Sequence, residues 1–362
     1  MSNIFIVGTR AQLIKVAPVI YFFEKEQLPV TFILTGQHRD TMQDLIDEFQ
    51  IQTHPIHLIP NNKEHSNILA LLSWLPKIFK LLINFLGKYK NANVFVHGDT
   101  LTTLASAVSA KLTNNKVIHL ESGLTSKQLL SPFPEEMIRR IVFRTTNIAC
   151  CPTRKDFDHI QKHYPKTTAL NTFGNTIVDS INLLNINKSN TSESQESIVV
   201  SIHRFQNIYN KERLSEISKM LNTLSEKYIL NFVLHPATEK KLKKFKLFND
   251  LDHNKRINLL PRMTYQNFLT LALDSDVVIT DGGSNQEELA FFGHPTIILR
   301  DHTERQDGIG SNAILINEIP NLTNYIINHK FIELKHSRSI LHNSPSQLIT
   351  NYFKTANTYD KS

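Results

Sequence analysis

Three carboxylates of this sequence stand where they could move protons on one substrate. Asp99 follows the apolar run NVFVHG, Glu121 follows KVIHL, and Glu135 comes just after the two prolines of SPFPEE. Carboxylates that converge in a closed site raise one another's proton affinity, so that one can donate a proton while another accepts one. The three residues therefore predict general acid–base chemistry, on condition that the fold brings them together.

The segment SPFPEEMIRR contains the start of a helix. Pro132 and Pro134 fix how the chain approaches it. Glu135 and Glu136 then occupy the first helical turn. Arg139 lies one turn on from Glu135, so we expect it to orient that carboxylate while Glu136 faces elsewhere. A simpler interpretation is that both acids only stabilise the free amides at the start of their own helix.

A second motif is suited to a phosphate-bearing ligand. The stretch VITDGGSNQEELAFFG predicts a strand, a glycine turn and a helix start. Gly282 and Gly283 let the backbone approach a ligand closely, and the helix N-terminus favours an anion such as a diphosphate. Ser284 can cap the helix or bind the phosphate, and Glu288 on the same face could accept from ribose hydroxyls. Alternatively, Glu287 and Glu288 only favour the helix start through its dipole.

The stretch VGTRAQLIK places Arg10 and Lys15 behind a turn at Gly8, where both cations could meet phosphates. A lone lysine on a first helix would more often be a surface residue. The spacing differs from that of a P-loop, and neither this turn nor the one at Gly282 carries G-x-G-x-x-G. The two turns therefore predict neither an ATP site nor a nicotinamide site. The sequence predicts no cofactor and no metal.

Short β-branched runs alternate with longer amphipathic segments through most of the chain. The first half contains IFIVG, VTFILTG, NVFVHG, KVIHLESG and NIACCP. After the polar stretch NKSNTSESQE (187–196), the pattern restarts with SIVVSIHR, YILNFVLHP, INLLP, DVVITDGG and PTIILRD. Repeats of this kind form parallel sheets with helices on both faces. We therefore predict an α/β protein with two doubly wound Rossmann-like domains, at 1–180 and 197–340.

Ligands of such sheets bind outside the carboxyl ends of the strands. Reactive residues follow the predicted strands in both halves, with Asp99 and Glu121 in the first and His203, Arg204 and His235 in the second. Because they come from both halves, we expect one active site in the cleft between the domains. His203 beside Arg204 would suit a phosphate on a leaving group.

Composition narrows the class of protein. Forty Lys and Arg against 33 Asp and Glu give a net charge of +7. Most lysines lie in scattered stretches such as EKKLKKFK, and no nucleic-acid-binding motif occurs, so an anionic small molecule is the predicted partner and nucleic acid is not. No apolar run has the length of a membrane span. The start MSNIFIVGTR lacks the features of an export signal, and the only cysteines are the adjacent Cys150 and Cys151, so we expect a cytoplasmic protein.

The amphipathic segment ILALLSWLPKIFKLLINFLGK (68–88) has two interpretations. It could lie on a membrane surface. Packing in the core or at a subunit interface is the favoured interpretation, because the segment lies between two predicted strands. Pro76 should kink a helix here or begin a second one.

The motifs, taken in order, resemble those of a known enzyme family. The chain contains GTRAQLIKVAP, TGQHRDTM, HGDTLTTLA, ESGL, SPFPEEMIRR, GNTIVDS, HR, TDGGSNQEE and LRDHTERQ. Their order and spacing are similar to those of the bacterial UDP-N-acetylglucosamine 2-epimerases of the non-hydrolysing type. The resemblance implies the glycosyltransferase-B architecture, usually a homodimer, in which a C-terminal helix (341–362) crosses back onto the first domain.

The resemblance also implies a reaction, the epimerisation at C2 of a UDP-2-acetamido sugar for surface polysaccharide synthesis. UDP would be eliminated to leave a 2-acetamidoglucal and would then add back. Carried over by position, the catalytic residues are Asp99, Glu121, Glu135, Arg139 and His203. The assigned UDP contacts are Arg10, Lys15, His235, Gly282, Gly283, Ser284, Glu288 and Arg305. A second UDP-GlcNAc would bind as an activator near Gln37 and Arg39.

The chain departs from the family pattern at four places. The family usually has Pro-Glu, Arg, Arg-Glu and Ser-Gly-Gly where this chain has Ala11-Gln12, Thr125, Phe205-Gln206 and Gly282-Gly283-Ser284. Three other functions stay open on the sequence alone. They are a hydrolysing 2-epimerase that releases free sugar and UDP, a glycosyltransferase of the same fold, and a non-catalytic sensor of sugar nucleotides.

Overall fold

The computed structural model describes residues 1–37, 42–59, 68–126, 134–189, 196–303, 305–339 and 343–359. The chain forms two compact units, Met1–Leu184 with Leu341–Ser362, and Asn185–Ile340. Each unit is built on its own parallel β-sheet with helices between the strands. The predicted α/β class with two doubly wound sheets is confirmed.

The first unit contains a seven-stranded sheet in the order β3-β2-β1-β4-β5-β6-β7. The strands are β1 (Asn3–Val7), β2 (Val30–Leu34), β3 (Ile56–His57), β4 (Asn93–His97), β5 (Lys116–Leu120), β6 (Ile148–Cys151) and β7 (Thr168–Asn171). The helices are α1 (Arg10–Lys25), α2 (Gln43–Glu48), α3 (Ile68–Leu86), α4 (Leu101–Leu112), α5 (Glu135–Thr145), α6 (Arg154–His163) and α7 (Ile177–Leu183). The strand order reverses between β1 and β4, and such a switch point is where doubly wound sheets bind ligands.

An aromatic core holds β1 and β4 side by side. All five residues of β1 are buried, because helices cover both faces of a parallel sheet and leave no polar face. Phe5 stacks on Phe95 of β4 with ring centroids 4.3 Å apart. Phe23 of α1 packs edge-on against both rings. This packing fixes the strands and therefore the two turns that follow them.

The amphipathic helix α3 packs into the core of the first unit. Trp74, Ile78, Leu82 and Leu86 recur every four residues and are buried in one cluster, so the predicted core packing is confirmed. Of the two effects predicted for Pro76, a kink or the start of a second helix, the second does not occur, because one helix runs through the proline. The buried stripe outweighs the single hydrogen bond that a proline cannot donate.

The second unit contains a six-stranded parallel sheet in the order β10-β9-β8-β11-β12-β13. The strands are β8 (Ser197–Ser201), β9 (Ile229–Val233), β10 (Ile257–Leu260), β11 (Val277–Thr280), β12 (Thr296–Ile298) and β13 (Ala313–Leu315). The helices are α8 (Phe205–Ile208), α9 (Lys211–Leu224), α10 (Pro236–Lys244), α11 (Phe248–Asp252), α12 (Tyr265–Asp274), α13 (Gly283–Phe292) and α14 (Leu322–Ile327). The switch point here lies between β8 and β11.

A last helix, α15 (Pro345–Tyr359), returns to the first unit. Lys354 pairs with Glu26 at 2.5 Å, and Phe353 packs against the aromatic core of β1 and β4. The backbone N of Ser346 donates to Asp179 of α7 at 2.7 Å. Of the polar connection expected at 187–196, residues 190–195 lie outside the described part of the chain. Among the described helices, none combines the length and apolar character that crossing a membrane requires.

Candidate active site

Gln12 closes the switch point of the first sheet. Its Oε1 accepts hydrogen bonds from the backbone N of Gly8 (2.9 Å) and of Thr9 (3.2 Å), in the turn after β1. Its Nε2 donates to the carbonyl of His97 at 2.7 Å and to two threonine hydroxyls around the start of α4. The side chain is only 3% exposed. One buried amide therefore ties the turn after β1 to the turn after β4.

Glu121 follows β5 in a left-handed backbone conformation, with φ +56°, which costs a non-glycine residue on the order of 1 kcal/mol. Its Oε2 lies 2.5 Å from Lys15 Nζ and accepts from Asn175 Nδ2 at 3.1 Å. His97 Nε2 is 3.2 Å from the same oxygen. The strained backbone therefore occurs at a residue whose carboxylate lies close to three side-chain nitrogen atoms.

Asp99 lies on the neighbouring turn and is held by Arg139. The distance from Asp99 Oδ2 to Arg139 Nη2 is 2.5 Å, and Arg139 Nη1 is 3.3 Å from Glu136 Oε2. The expectation that Arg139 orients Glu135 while Glu136 faces elsewhere is wrong. Glu136 is fully buried and lies three residues before Arg139, so the two share a helix face. Glu136 also accepts from Arg140 Nε, Thr125 Oγ1 and the backbone N of Ser126.

Glu136 and Arg139 are both held in their charged forms. Burial alone would raise the pKa of Glu136, but hydrogen bonds from Thr125, Ser126 and Arg140 outweigh it and leave the pKa below its ordinary value. Desolvation opposes the charge of Arg139, yet the attraction of Asp99 raises the pKa of that guanidinium. Asp99 is therefore fixed by a cation that is itself anchored on a buried anion.

Among the described residues, Glu135 has a buried carboxylate oxygen without a hydrogen-bond partner, unlike Asp99, Glu121 and Glu136. It begins α5, and its Oε2 atom is buried without a hydrogen-bond donor from any part of the chain that the structure describes. Buried polar atoms almost always have a partner, because an unmade hydrogen bond costs free energy. A bound ligand could supply the missing donor.

His119 is a buried histidine whose pKa depends in part on the charges of both strand-end acids. Burial lowers its pKa to about 4, although a hydrogen bond to the carbonyl of Gly98 and the charges of Asp99 and Glu121 act in the opposite direction. The ring is therefore neutral at pH 7. Its Nε2 lies 2.9 Å from that carbonyl, so the proton must be on Nε2 for the bond to form. The ring fixes the turn on which Asp99 stands.

Asp281 closes the switch point of the second sheet. It is completely buried after β11, and its carboxylate accepts from the backbone N of His203 (3.0 Å), the backbone N of Arg204 (3.0 Å) and Asn207 Nδ2 (2.8 Å). Arg204 Nε also donates to the backbone carbonyl of Asp281 at 3.0 Å. One buried carboxylate thus ties the turn after β8 to the turn after β11.

The His203 ring packs against the glycine turn after β11. A Cβ on Gly282 would lie only 3.3 Å from His203 Cε1, so the absence of a side chain makes room for the imidazole. His235 begins α10, and its ring centroid is 5.5 Å from that of His203. Desolvation lowers the pKa of His203, with two arginines adding to the effect and Asp281 opposing it. The neutral ring is the form that can accept a proton.

Arg305 packs on the second glycine of the same turn. A Cβ on Gly283 would come within 3.0 Å of Arg305 Nε, and the guanidinium forms an ion pair with Glu287 of α13. Ser284 is partly exposed in the first turn of α13, whereas Glu288 is 1% exposed. The structure therefore brings together His203, His235, Gly282, Gly283, Ser284 and Arg305 at one edge of the second sheet.

The remaining predicted residues of the first unit make other contacts. Arg10 forms a bidentate pair with Asp44 of α2, and Lys15 is buried on Glu121, so both cations that were predicted to bind phosphate hold carboxylates. Gln37 Oε1 accepts from the backbone N of Thr102 at 3.0 Å, at the start of α4. Arg39 lies outside the described residues.

Four residues that organise these sites were not assigned from the sequence. Asp281 stands between a buried strand and two glycines, which is a usable signal. His97 and His119 lie at strand ends like the residues that were assigned. Gln12 was noted only as a departure from a pattern, because its hydrogen bonds join segments about 85 residues apart along the chain.

Comparison with known proteins gives the family. A family model described as UDP-N-acetylglucosamine 2-epimerase matches residues 22–346. The UDP-N-acetylglucosamine 2-epimerase of Methanococcus maripaludis is 31% identical over an alignment of 339 positions that covers 89% of each chain. The solved structure of the Methanocaldococcus jannaschii UDP-GlcNAc 2-epimerase in complex with UDP-GlcNAc and UDP has a TM-score of 0.81 at 28% identity and covers 99% of this chain and 100% of its own. The chain belongs to the UDP-N-acetylglucosamine 2-epimerase family.

Proposed function

We propose that this protein interconverts UDP-N-acetylglucosamine and UDP-N-acetylmannosamine by inverting the configuration at C2. Membership of the family supports the reaction. In this chain, the observation that supports the reaction most is the pair of strand-end acids, Asp99 and Glu121. Each forms an ion pair with a buried cation, and the charges of both raise the pKa of the buried His119. Such acids suit a reaction that removes and restores a proton.

The chemistry explains why several acids are needed. The C2 proton of the sugar is not acidic, so direct removal would face a large barrier. Breaking the bond between C1 and the UDP oxygen develops positive charge at C1, and a base then takes the C2 proton to give 2-acetamidoglucal and UDP. In the return step UDP re-forms its bond to C1 while an acid delivers a proton to the opposite face of C2. Two faces require two proton-handling groups.

In this proposal the first unit supplies those groups. Asp99 and Glu121 handle the C2 proton, and Arg139 and Lys15 hold them in place. Glu135 offers a buried oxygen without a donor from the described residues, which a substrate hydroxyl or a proton could occupy. Holding acids on rigid strand ends before substrate arrives lowers the cost of reaching the reactive geometry.

The second unit supplies the contacts for the departing diphosphate. The backbone amides at the start of α13 favour a doubly charged anion, and Gly282 and Gly283 have no side chains that would block its approach. Ser284, His203 and Arg204 lie at the same edge of the sheet, where their N–H and O–H groups can donate to the oxygens of the departing diphosphate. The predicted ribose contact with Glu288 also belongs to this part of the proposal.

The reaction can be tested in deuterated water. The protein is incubated with UDP-GlcNAc and the proton spectrum is followed. We expect UDP-ManNAc carrying deuterium at C2, because the removed proton exchanges with solvent. Asp250→Asn, a change at an exposed acid of the second unit, serves as the matched control and should behave as the wild type. Free ManNAc with UDP would indicate a hydrolysing epimerase, and an inert substrate would contradict epimerisation.

Some properties of the family remain predictions for this chain. They are a homodimer, a cytoplasmic location, a role in surface polysaccharide synthesis, and activation by a second UDP-GlcNAc near Gln37 and Arg39. Sedimentation of the purified protein would measure the first. A dependence of rate on UDP-GlcNAc concentration that is steeper than hyperbolic would support the last.

A further inference from the structure

A cavity of 570 Å³ opens on the surface of the first unit between α5 and α6. Its polar lining consists of Arg140 and Arg144 of α5, His159 and His163 of α6, Thr125 and Tyr164. Within the described residues, no aspartate or glutamate lines it. We propose that this cavity, called here the arginine–histidine cavity, binds a phosphate dianion, either free or as a monoester.

The first argument is the crowding of like groups on two helices. Arg140 and Arg144 are four residues apart on one helix, so their charges face each other along it. Arg144 Nη1 donates to the carbonyl of Arg140 at 2.7 Å. His159 and His163 have the same spacing, with ring centroids 4.8 Å apart. The two arginine charges repel each other at this spacing, and a bound dianion would offset that repulsion while the imidazole N–H groups donate to it.

Attraction to the helix dipole does not explain the cluster. Basic side chains in the last turn of a helix are favoured, and Arg144 and His163 occupy the last turns of α5 and α6. Arg140 and His159 stand a full turn earlier, beyond the reach of that effect. Glu136 engages Arg140 through Nε, and an anion in the cavity would engage the other end of the same guanidinium.

The second argument is that Arg140 is held in place with donors to spare. Its Nε donates to the buried Glu136 at 3.1 Å, which fixes the plane of the guanidinium, and the terminal nitrogens make no hydrogen bond within the described ranges. A guanidinium oriented in this way can present two parallel donors to a phosphate. The Thr125 hydroxyl donates to the same Glu136 at 2.6 Å, so the wall of the cavity is built before any ligand arrives.

Binding can be measured on the full chain by calorimetry with two probes, inorganic phosphate and phenyl phosphate. UDP-GlcNAc is present at saturation, because it fills the site proposed in the second unit and carries no terminal phosphate that could occupy the cavity. We expect saturable binding that Arg144→Gln and His163→Gln each weaken about tenfold, the scale for losing one charge-assisted hydrogen bond. Arg154→Gln and Lys162→Gln, on exposed positions of the same α6 helix, are the matched controls and should leave affinity unchanged.

Each outcome decides the proposal. Equal affinity for the two probes would support the site and assign it to free phosphate, whereas tighter binding of phenyl phosphate would support it and assign it to a monoester. Affinity that is the same in all four variants, or no saturation below about 1 mM, would overturn it. Thermal unfolding of Arg144→Gln and His163→Gln at the wild-type temperature shows that weaker binding is not a folding defect.

Discussion

The two units share one strand order around the switch point but close it with different chemistry. In the first unit a neutral amide, Gln12, accepts from one turn and donates to the other. In the second a carboxylate, Asp281, only accepts, and it collects backbone and side-chain N–H groups from the turn after β8. Both residues are buried. The same topology therefore tolerates two kinds of latch, the name used here for the buried side chain that ties the two turns together, Gln12 in the first unit and Asp281 in the second.

The difference decides which charges each sheet edge presents. A neutral latch contributes no charge, so the ion pairs of the first edge form around Asp99 and Glu121, with Arg139 and Lys15 committed to them. A buried carboxylate instead draws His203 and Arg204 to itself and keeps basic groups at the second edge. The edge with Asp99 and Glu121, called here the acidic edge, suits proton transfer. The edge with His203 and Arg204, called here the basic edge, suits a diphosphate.

The largest expected effect is on the rate of the reaction, when the carboxylates of the first unit are replaced one at a time by amides. Asp99→Asn, Glu121→Gln and Glu135→Gln should each lower kcat by about 10² to 10⁴, the scale for losing a general acid or base. Glu135→Gln is the cleanest of the three, because no ion pair of a described residue is broken. Rates are measured by following both epimers in the proton spectrum. Asp250→Asn is the control, and near-normal rates in all three variants would remove the proposed roles.

The latch of the basic edge should matter chiefly for stability. Asp281→Ala removes the acceptor that the backbone N of His203, the backbone N of Arg204 and Asn207 Nδ2 share, and only Asn207 keeps another, the carbonyl of Leu299. We expect a loss of about 3 to 5 kcal/mol in the free energy of unfolding of the second unit. Hydrogen exchange of the β8 and β11 amides would locate the loss there, while β1 and β4 should keep wild-type protection. Asp250→Ala on the exposed surface should show no change. Equal protection in the mutant and the wild type would mean that Asp281 is not a latch.

A third test uses pH. Among the described residues, burial lowers the pKa of His119 in the first unit and of His294 in the second from 6.5 to about 4. As the pH falls, the unfolded chain takes up the proton first. The stability contribution is therefore present above pH 6.5 and is lost between pH 6.5 and 4. The loss should total about 3 kcal/mol for each histidine. His119→Gln keeps a donor for the Gly98 carbonyl and should flatten the pH dependence of the first unit only, as measured by hydrogen exchange between pH 7 and 4.

The last test gives the first unit the latch chemistry of the second. Gln12→Glu keeps acceptors for Gly8 and Thr9, but its ionised side chain cannot donate to the carbonyl of His97 and, among the described residues, has no cation beside it. We expect a cost of about 3 kcal/mol in the free energy of unfolding at pH 7, because the buried carboxylate must either stay charged without a partner or take up a proton. Gln161→Glu, on the exposed side of α6, is the matched control. If the two variants unfold alike in urea, the amide donor has no role in closing the switch point.

Much of the fold could be predicted because it depends on local pattern. The strongly apolar strands of both sheets, β1 and β8 among them, are where their sequences place them. The strands that escaped prediction are short or polar, such as β7 with the sequence TALN and β13 with AIL. Pro76 does not begin a second helix, because the buried stripe of α3 continues on both sides of this exposed proline.

The candidate sites were predictable only in part. Strand ends pointed to Asp99, Glu121 and His203, since position along the chain fixes which residues follow a strand. Partners across the sheet could not be predicted in this way. Arg139 was given to Glu135 by helix spacing, yet it contacts Glu136 and Asp99, and Lys15 was given to a phosphate, yet it contacts Glu121.

By itself, then, the sequence determined which elements form, their order, and the chemical type of each residue at a strand end, because hydrophobic period and turn chemistry act over a few residues. Only the tertiary structure decided which acid each buried cation neutralises, which oxygen of Glu135 stays open, and that Gln12 and Asp281 fasten the two switch points. Those outcomes depend on distances between atoms far apart along the chain, and an ion pair or a hydrogen bond exists only when such atoms come within about 3 Å of each other.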